Sequence, residues 1–541
     1  MPYEAWRAKH AQPVPPEDEA RLLRLIQVIS DLPECSPDDL TRLLRQHPRA
    51  RGGQFAKDKL VAAYRRFCHS GQLTFSQETL RRLQMKPTRT QSGVATVTVL
   101  TKPWPCPGEC LFCPTDEEMP KSYLADEPGA LRAAQSRFDP YATTAGRLRA
   151  LDNIGHPTDK VELLVLGGTW SCYPTDYQAW YIQRCFDALN GADSASLAEA
   201  QQLNERAAHR NVGLVIETRP DFVDRAEVLR LRRYGVTKVQ LGAQSLNDEI
   251  LALNQRGHSV EQTREAVGLL RAAGFKIHLH WMPNLLGATP ESDLADFEKL
   301  WSDPGLRPDE LKIYPCVLVR ESELMQWWER GEYRPYTDEE LVWLLAECKA
   351  RTPRYVRLNR IARDFPAGHV VAGSLTSNLR EVAQRRLAEQ GRRCECIRCR
   401  EVRGERVVNT QPAPALEYAT LGGREIFLSE ETDTGKLAGF LRLSLPTPEA
   451  TSATGLEELR GAALIREVHV YGPVVRLGHE ATRGEAQHLG LGAELIRAAE
   501  QRARQAGYPR LAVISAIGTR EYYRRQGFEL GELYMAKDLG S

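Results

Sequence analysis

Between residues 93 and 318 the chain alternates short aliphatic, β-branched runs with stretches whose apolar positions recur at three and four. The runs GVATVTVL, VELLVLGG, VGLVIET, TKVQLGAQS, KIHLHWM and ELKIYPC predict six strands. Segments such as EVLRLRRYG and TREAVGLLRAAG lie between them as crossover helices, so the sheet should be parallel and covered on its outer face. Six such units predict an α/β fold, an open and partial TIM-like barrel whose active groups gather at the C-terminal ends of the strands. Ahead of it, EARLLRLIQVISDL, SPDDLTRLLRQH and KDKLVAAYRRFC carry helical spacing. After it, the prolines of QPAPA lead into a second, compact α/β unit that runs from GREIFLSEE to GFELGELYMAKDL. The expected units are a basic helical segment at 1–90, the barrel at 91–393, a cysteine-bearing segment at 394–410 and the C-terminal unit at 411–541.

With 541 residues the chain exceeds a single core, and 42% hydrophobic against 26% charged residues is a globular balance. No apolar run approaches the roughly 18 residues that span a bilayer. The N-terminus MPYEAWRAKHAQPVPPEDEA lacks the pattern of an export signal, so the cytosol is the expected compartment. There, twelve cysteines are more useful as metal ligands or catalytic groups than as disulfides, and six of them fall in two sets of three. The net charge of +1 conceals a segment, Leu40 to Thr90, with twelve Lys/Arg against two Asp/Glu. A solvated surface is one reading of it. The interleaved Tyr64 and Phe67 favour the other, a nucleic-acid surface with Lys57, Lys59, Arg65 and Arg66 as phosphate contacts.

The loop WPCPGECLFCP follows the first predicted strand and carries Cys106, Cys110 and Cys113. Three thiolates on a four-iron cluster leave one iron without a protein ligand, free to hold a substrate chelate. A zinc knuckle would need a fourth Cys or His, and none lies within twenty residues on either side. The CxxxCxxC spacing, with Phe112 before the last cysteine, resembles the radical S-adenosylmethionine (SAM) superfamily. That resemblance implies a 4Fe-4S cluster, SAM, and reductive cleavage to a 5′-deoxyadenosyl radical. The second strand ends in GGTW, where the superfamily often has Gly-Gly-Glu; with Thr169 in place of the acid, Gly167, Gly168 and Thr169 are expected to meet SAM through backbone alone.

Cys394, Cys396 and Cys399 form CxCxxC, which suits three ligands of a tetrahedral zinc with a fourth from elsewhere; a second iron-sulfur cluster or free thiols are the alternatives. QHLGLGAELI follows a strand and opens a helix, so the amides of Gly490, Leu491, Gly492 and Ala493 can point at a pyrophosphate. Its Q-x-x-G-x-G form from Gln487, with the later GTREYYRRQGF, resembles the acetyl-CoA-binding core of GNAT acetyltransferases. In that fold Tyr522 or Tyr523 would lie near the coenzyme thiol as a hydrogen-bond or proton donor.

A radical SAM loop, an acyl-CoA core and a basic helical lead in one chain resemble the Elongator catalytic subunit family. The likeness runs through MKPTRTQSGVATVTVLTKPWPC, SRFDPY, IETRPD, NQRGHSV, GFKIHLHWMPNL, SNLREVAQRRL, CECIRCREV, REVHVYG and AVISAIGTREYYRRQGF. It implies a tRNA carboxymethyluridine synthase acting on carbon 5 of the wobble uridine in the anticodon loop. Acetyl-CoA supplies the carbon unit and an external donor supplies the electron. The implied chemistry removes a methyl hydrogen from acetyl-CoA, joins that carbon to the base and hydrolyses the thioester. By the same resemblance Lys160, Glu467, Val468, His469, Val470, Leu491 to Ala493 and Tyr523 contact acetyl-CoA. Eukaryotic members carry a longer gap between the first two cysteines, whereas this chain has the superfamily spacing. A homodimer is left open. The rivals are a protein lysine acetyltransferase with a structural iron-sulfur cluster and a tRNA-binding scaffold without catalysis.

Overall fold

The computed structural model describes residues 14–85, 90, 93–363, 365–403, 407, 409–471 and 490–540. Helices α1 (Pro16–Asp31), α2 (Pro37–Gln46), α3 (Lys57–His69) and α4 (Gln77–Leu83) form the leading unit. Ser36 and Asp39 close a capping box at the start of α2, satisfying amides that a helix end otherwise leaves open. Leu22, Leu25, Ile26, Ile29, Leu60 and Leu83 make the apolar centre of this unit. Tyr64 and Phe67 belong to it too, at 1% and 2% exposure, which corrects their reading as rings for nucleic acid. The Tyr64 hydroxyl is also engaged, donating to Ser76 O at 3.0 Å. Apolar rings at helical spacing were drawn into the core because that burial outweighs any use on the surface.

The barrel is a seven-stranded sheet in sequential order, parallel throughout: β1 (Ala95–Leu100), β2 (Lys160–Leu166), β3 (Arg210–Thr218), β4 (Lys238–Gln244), β5 (Lys276–Trp281), β6 (Glu310–Ile313) and β7 (Arg357–Ile361). The first six are the expected strands. The seventh, RLNRI, carries Arg357, Asn359 and Arg360 and so lacks the apolar run by which a buried strand is recognised. Alternation then sorts the side chains. Val97, Val99, Val161, Leu163, Leu214, Ile216, Val239, Leu241, Ile277 and Leu279 face the covering helices. The other face turns Thr96, Glu162, Lys238, Gln240, Lys276, His278, His280, Glu310 and Lys312 into the barrel. The path ends at β7 without returning to β1, so the barrel has an open seam between its two edge strands.

The C-terminal unit is an eight-stranded sheet built on β8 (Gly423–Glu431), β9 (Leu437–Pro446), β10 (Ala462–Val470) and β11 (Arg510–Val513). β10 and β11 run parallel, but their pairing lasts only from Ala462–Arg510 to Ile465–Val513. Beyond Ile465, β10 continues alone beside β9 and presents a free edge. This edge lies against the base of the barrel through buried ion pairs. Arg466 donates to Asp309 at 2.6 and 2.8 Å, to Glu425 at 2.8 Å and to Phe275 O at 2.7 Å. Arg442 joins Glu467 at 2.9 Å. Such a group adds little against a well-packed apolar substitute, but removing one partner leaves unpaired charge in the interior. Among the described residues no helix is long and apolar enough to cross a membrane.

Candidate active site

The barrel has a cavity at each end. The upper one, about 520 Å³, is lined by Cys106, Cys110, Cys113, Gly168, Thr169, Glu217, Gln244, Arg256, His280 and Lys312 among others. Its cysteine loop leaves β1 and is pinned by its own apolar residues: Leu111 and Phe112 pack on Leu285, Leu286, Leu318 and Leu324. The Leu111 amide donates to Asn254 O at 3.3 Å, and Leu324 N–H donates back to Leu111 O at 2.9 Å. Arg256 donates to Cys110 Sγ at 3.4 Å and to Gly242 O at 2.7 Å, and the Gly108 amide lies 3.5 Å from Cys106 Sγ. A Cβ on Gly108 would stand 2.3 Å from Arg219 Nη1, so glycine lets a second guanidinium approach the loop. Donors and positive charge thus face the sulfurs, as thiolate ligands of a cluster need. Burial, with Cys110 beside it, pushes the Cys113 thiol up to about 12, so a bound cation has to draw off that proton.

The glycine pair sits beside this loop. Gly167 has φ +138°, and a Cβ there would fall 1.8 Å from Thr101 Oγ1, so no other residue fits. Thr101 in turn donates to the Tyr173 hydroxyl at 2.8 Å, and Thr169 Oγ1 is 3.8 Å from Cys106 Sγ. Deeper in, His280 Nε2 and Gln240 Oε1 are 2.8 Å apart, and Lys312 also donates to Gln240. Burial and the charge of Lys312 keep His280 neutral, while burial pushes the Glu217 carboxyl up against the pull of that lysine.

The lower cavity, about 730 Å³, lies between the strand starts and the free edge of β10. Glu467, Val468, His469 and Tyr523 line one wall; Lys238, Lys276, Glu310, Arg357 and Asn359 line the other. Lys276 donates to Glu310 at 2.7 Å and to Glu467, tying the edge strand to the barrel. Burial works against the charge of Lys276, but these two carboxylates outweigh it and raise its basicity. His469 is pushed down to about 3 by burial and stays neutral. Free backbone groups on such an edge can pair with an extended, amide-bearing chain, and the phenol beside them can donate a hydrogen bond.

Residues 106–299 match the family model of the Radical SAM superfamily, 308–389 that of the Radical_SAM C-terminal domain, and 400–528 that of the Acetyltransferase (GNAT) family. A tRNA uridine(34) acetyltransferase of Dehalococcoides mccartyi (strain CBDB1) is 45% identical over 461 residues, covering 84% of this chain and 99% of its own. The Homo sapiens Elongator complex protein 3 is 36% identical over 477 residues, covering 85% of this chain and 86% of its own. The chain belongs to the Elongator complex protein 3 family. The structure of the archaeal Methanocaldococcus infernus Elp3 with an N-terminal deletion superimposes with a TM-score of 0.71 at 37% identity, over 82% of this chain and 99% of that one. The expected fold, a radical SAM barrel joined to a GNAT unit, is borne out, and with it the enzymatic character of the chain. A radical SAM domain implies SAM and a 4Fe-4S cluster, and acetyl-CoA suits a GNAT unit.

In this Elongator-family chain the three loop cysteines and the Gly167–Thr169 turn meet at the upper cavity. Glu467 to His469 and Tyr523 meet at the lower one, 7% of Tyr523 being exposed. The tyrosine pair divides. Tyr523 faces the cavity, whereas a Cβ on Gly492 would lie 2.6 Å from the Tyr522 hydroxyl, which places Tyr522 at the start of α7 (Leu491–Gln505). There the Ala493 amide is spent on Gly490 O at 2.9 Å, so it does not face a ligand as expected. Gln487 lies outside the described residues. Lys160 starts β2, where burial lowers its basicity, and it is not among the residues that line either cavity. Arg65 pairs with Asp152 at 2.6 Å and Arg66 with Glu19 at 2.7 Å; Lys57 and Lys59 share their helix.

Among the described residues, Cys394, Cys396 and Cys399 are the set whose ligand atoms all lie within 4.8 Å of one another, as a single ion needs. The loop thiols of the upper cavity do not meet that limit, which suits a multi-iron cluster. Residue-by-residue reading missed Glu217, Gln240, His280 and Lys312 above, and Lys238, Lys276 and Glu310 below. For Lys238, Gln240, Lys276 and His280 the signal was the polar residue at every second position of TKVQLGAQS and KIHLHWM, and for Glu310 and Lys312 the same alternation in ELKIYPC; Glu217, near the end of VGLVIET, gave none.

Proposed function

We propose that this chain is a tRNA carboxymethyluridine synthase, joining the methyl carbon of acetyl-CoA to carbon 5 of the wobble uridine. What supports the reading is one barrel with a thiol-lined cavity at one end and an acyl-coenzyme edge at the other. When bound, the cluster and SAM supply a 5′-deoxyadenosyl radical, the means to take hydrogen from an unactivated methyl group. Cys106, Cys110 and Cys113 would hold the cluster, Arg256 would orient Cys110, and the backbone of Gly167 to Thr169 would meet SAM. Glu467 to Val470 would carry the pantetheine arm, Gly490 to Gly492 the pyrophosphate, and Tyr523 would donate to the thioester side. His280 stays neutral, so it holds Gln240 by hydrogen bond without adding charge near the radical site. Cys394, Cys396 and Cys399 would bind a structural zinc rather than a second cluster, because three thiols so close suit one ion. Lys57, Lys59, Arg65 and Arg66 would add phosphate contacts.

The names of the relatives, among them tRNA uridine(34) acetyltransferase, support a wobble-uridine substrate. Nucleoside mass spectrometry of tRNA treated with reduced, iron-reconstituted protein, SAM and acetyl-CoA tests the reading. Carboxymethyluridine with matching 5′-deoxyadenosine is the expected result. Acetyl-lysine without SAM consumption would return the protein to the lysine acetyltransferase class.

A further inference from the structure

Both cavities reach the open seam. Thr98 and Leu100 of β1 and Arg360 of β7 border the upper one; Thr96 of β1 with Arg357 and Asn359 of β7 border the lower. The β7 side of the lower cavity is extended by α5 (Leu379–Glu389) and α6 (Ile397–Arg400), which bring Arg380, the exposed Glu381, Gln384 and Arg398 to the wall, with Arg403 just beyond. Most charges in this cavity are matched. Lys238 meets Glu162 at 2.7 Å, Lys276 meets Glu310 and Glu467, Arg357 meets Glu401 at 2.7 Å, and Arg466 meets Asp309 and Glu425.

Arg380 and Arg398 differ. Each spends one arm on a β7 carbonyl, Arg380 Nη2 on Leu358 O at 2.9 Å and Arg398 Nη1 on Asn359 O at 2.8 Å. Among the described residues neither is within ion-pair distance of a carboxylate, and Arg380 Nη1 is enclosed without any hydrogen-bond partner. Burial and the charges of Arg380, Arg357 and Arg403 hold the Arg398 guanidinium below its ordinary basicity, against the weaker pull of Glu401. Two neighbouring cations left unmatched inside a cavity are unfavourable until an anion enters. A planar guanidinium fork fits a phosphate better than any other common anion except a carboxylate.

We infer that Arg380 and Arg398 form a phosphate clamp at the open seam, gripping the RNA backbone next to the target nucleotide. The inference rests on the RNA-modifying reading above. The coenzyme also carries phosphates, but the glycine-opened start of α7 serves those from the GNAT side, whereas the clamp stands on the barrel wall beside the break in the sheet. A nucleotide held there can send its base into the barrel sideways, toward the space between the two cavities, without threading either end.

The test is the double variant Arg380→Gln/Arg398→Gln, since glutamine keeps a donor for the β7 carbonyl and removes the charge. Fluorescence anisotropy with a labelled anticodon stem-loop RNA is read at several salt concentrations, and acetyl-CoA binding is read by calorimetry. The clamp predicts RNA affinity lower by about tenfold and a log–log salt slope smaller by about one, as when a single phosphate goes without its cation. Acetyl-CoA affinity and the thermal midpoint should not move, and Arg380→Lys/Arg398→Lys should recover most of the slope. Unchanged RNA affinity and slope overturn the inference. So does a loss of acetyl-CoA affinity with RNA binding intact, which would give the site to the coenzyme phosphates. Binding needs no turnover, so a parent protein that binds RNA through the clamp yet makes no carboxymethyluridine counts against the proposed function and for the clamp.

Discussion

The two cavities share one barrel and are built in opposite ways. The upper takes its thiols from one loop after β1, and its neighbours are the C-terminal ends of strands, where backbone turns and glycines allow close approach. The lower draws on residues from Thr96 to Tyr523, held in register by an ion network that crosses from barrel to GNAT sheet. A site carried by a loop tolerates change in the rest of the fold; a site carried by an interface exists only while the two units stay docked. Damage to the first should therefore be chemical and local, and damage to the second should be structural.

The largest expected effect is at the loop. Cys110→Ala should abolish 5′-deoxyadenosine formation and most bound iron, while acetyl-CoA affinity stays within about twofold, because well-separated sites behave independently. Iron analysis and calorimetry on one preparation check both halves; a parallel loss of acetyl-CoA binding would erase the distinction. Next is the interface: Arg466→Met leaves the buried Asp309 with only Arg442 at 3.4 Å and Glu425 with only Arg271 at 4.0 Å, and should cost about 3–5 kcal/mol in denaturant unfolding. Adding Asp309→Asn and Glu425→Gln should restore a good part of it.

A pH effect in the layer that covers the barrel sharpens the contrast. Asp293 accepts from the Asn284 amide at 2.6 Å and from Tyr336 at 2.7 Å, and burial nonetheless raises its carboxyl to about 7. The unfolded chain ionises this group near 4. Parent stability therefore falls as pH rises from about 4 to 7 and levels off above, by at most about 4 kcal/mol. Asp293→Asn should gain on the parent across that window in thermal midpoints, and a constant difference would contradict the assignment. The smallest effect is at the glycine turn: Gly167→Ala meets Thr101 and a positive φ, costing about 1–3 kcal/mol. SAM affinity should drop with acetyl-CoA affinity unchanged.

The same contrast decides what could be read in advance. Cys106, Cys110 and Cys113 are legible because ligand spacing within a loop is a local constraint. The six strands are legible because each sets aliphatic, β-branched residues toward the covering helices at every second position and is followed by a helical stretch. β7 escaped because it is an edge strand whose arginines serve the seam. Tyr64 and Phe67 misled because a basic helix with rings reads the same whether its rings face RNA or its own core. The lower cavity was nearly invisible: nothing in the local pattern around Lys276, Glu310 and Arg466 says that the fold sets them against a second sheet. Only the family likeness, which implies acetyl-CoA contacts at Glu467 to Val470, pointed there.

In the proposed function both ends of the barrel act on one acetyl methyl group. Acetyl-CoA deuterated at that methyl, supplied with SAM, tRNA and reductant, tests this most directly. Mass spectrometry should find deuterium in 5′-deoxyadenosine and the remaining label in the methylene of carboxymethyluridine. Unlabelled 5′-deoxyadenosine beside fully deuterated acetyl on any acceptor would contradict it.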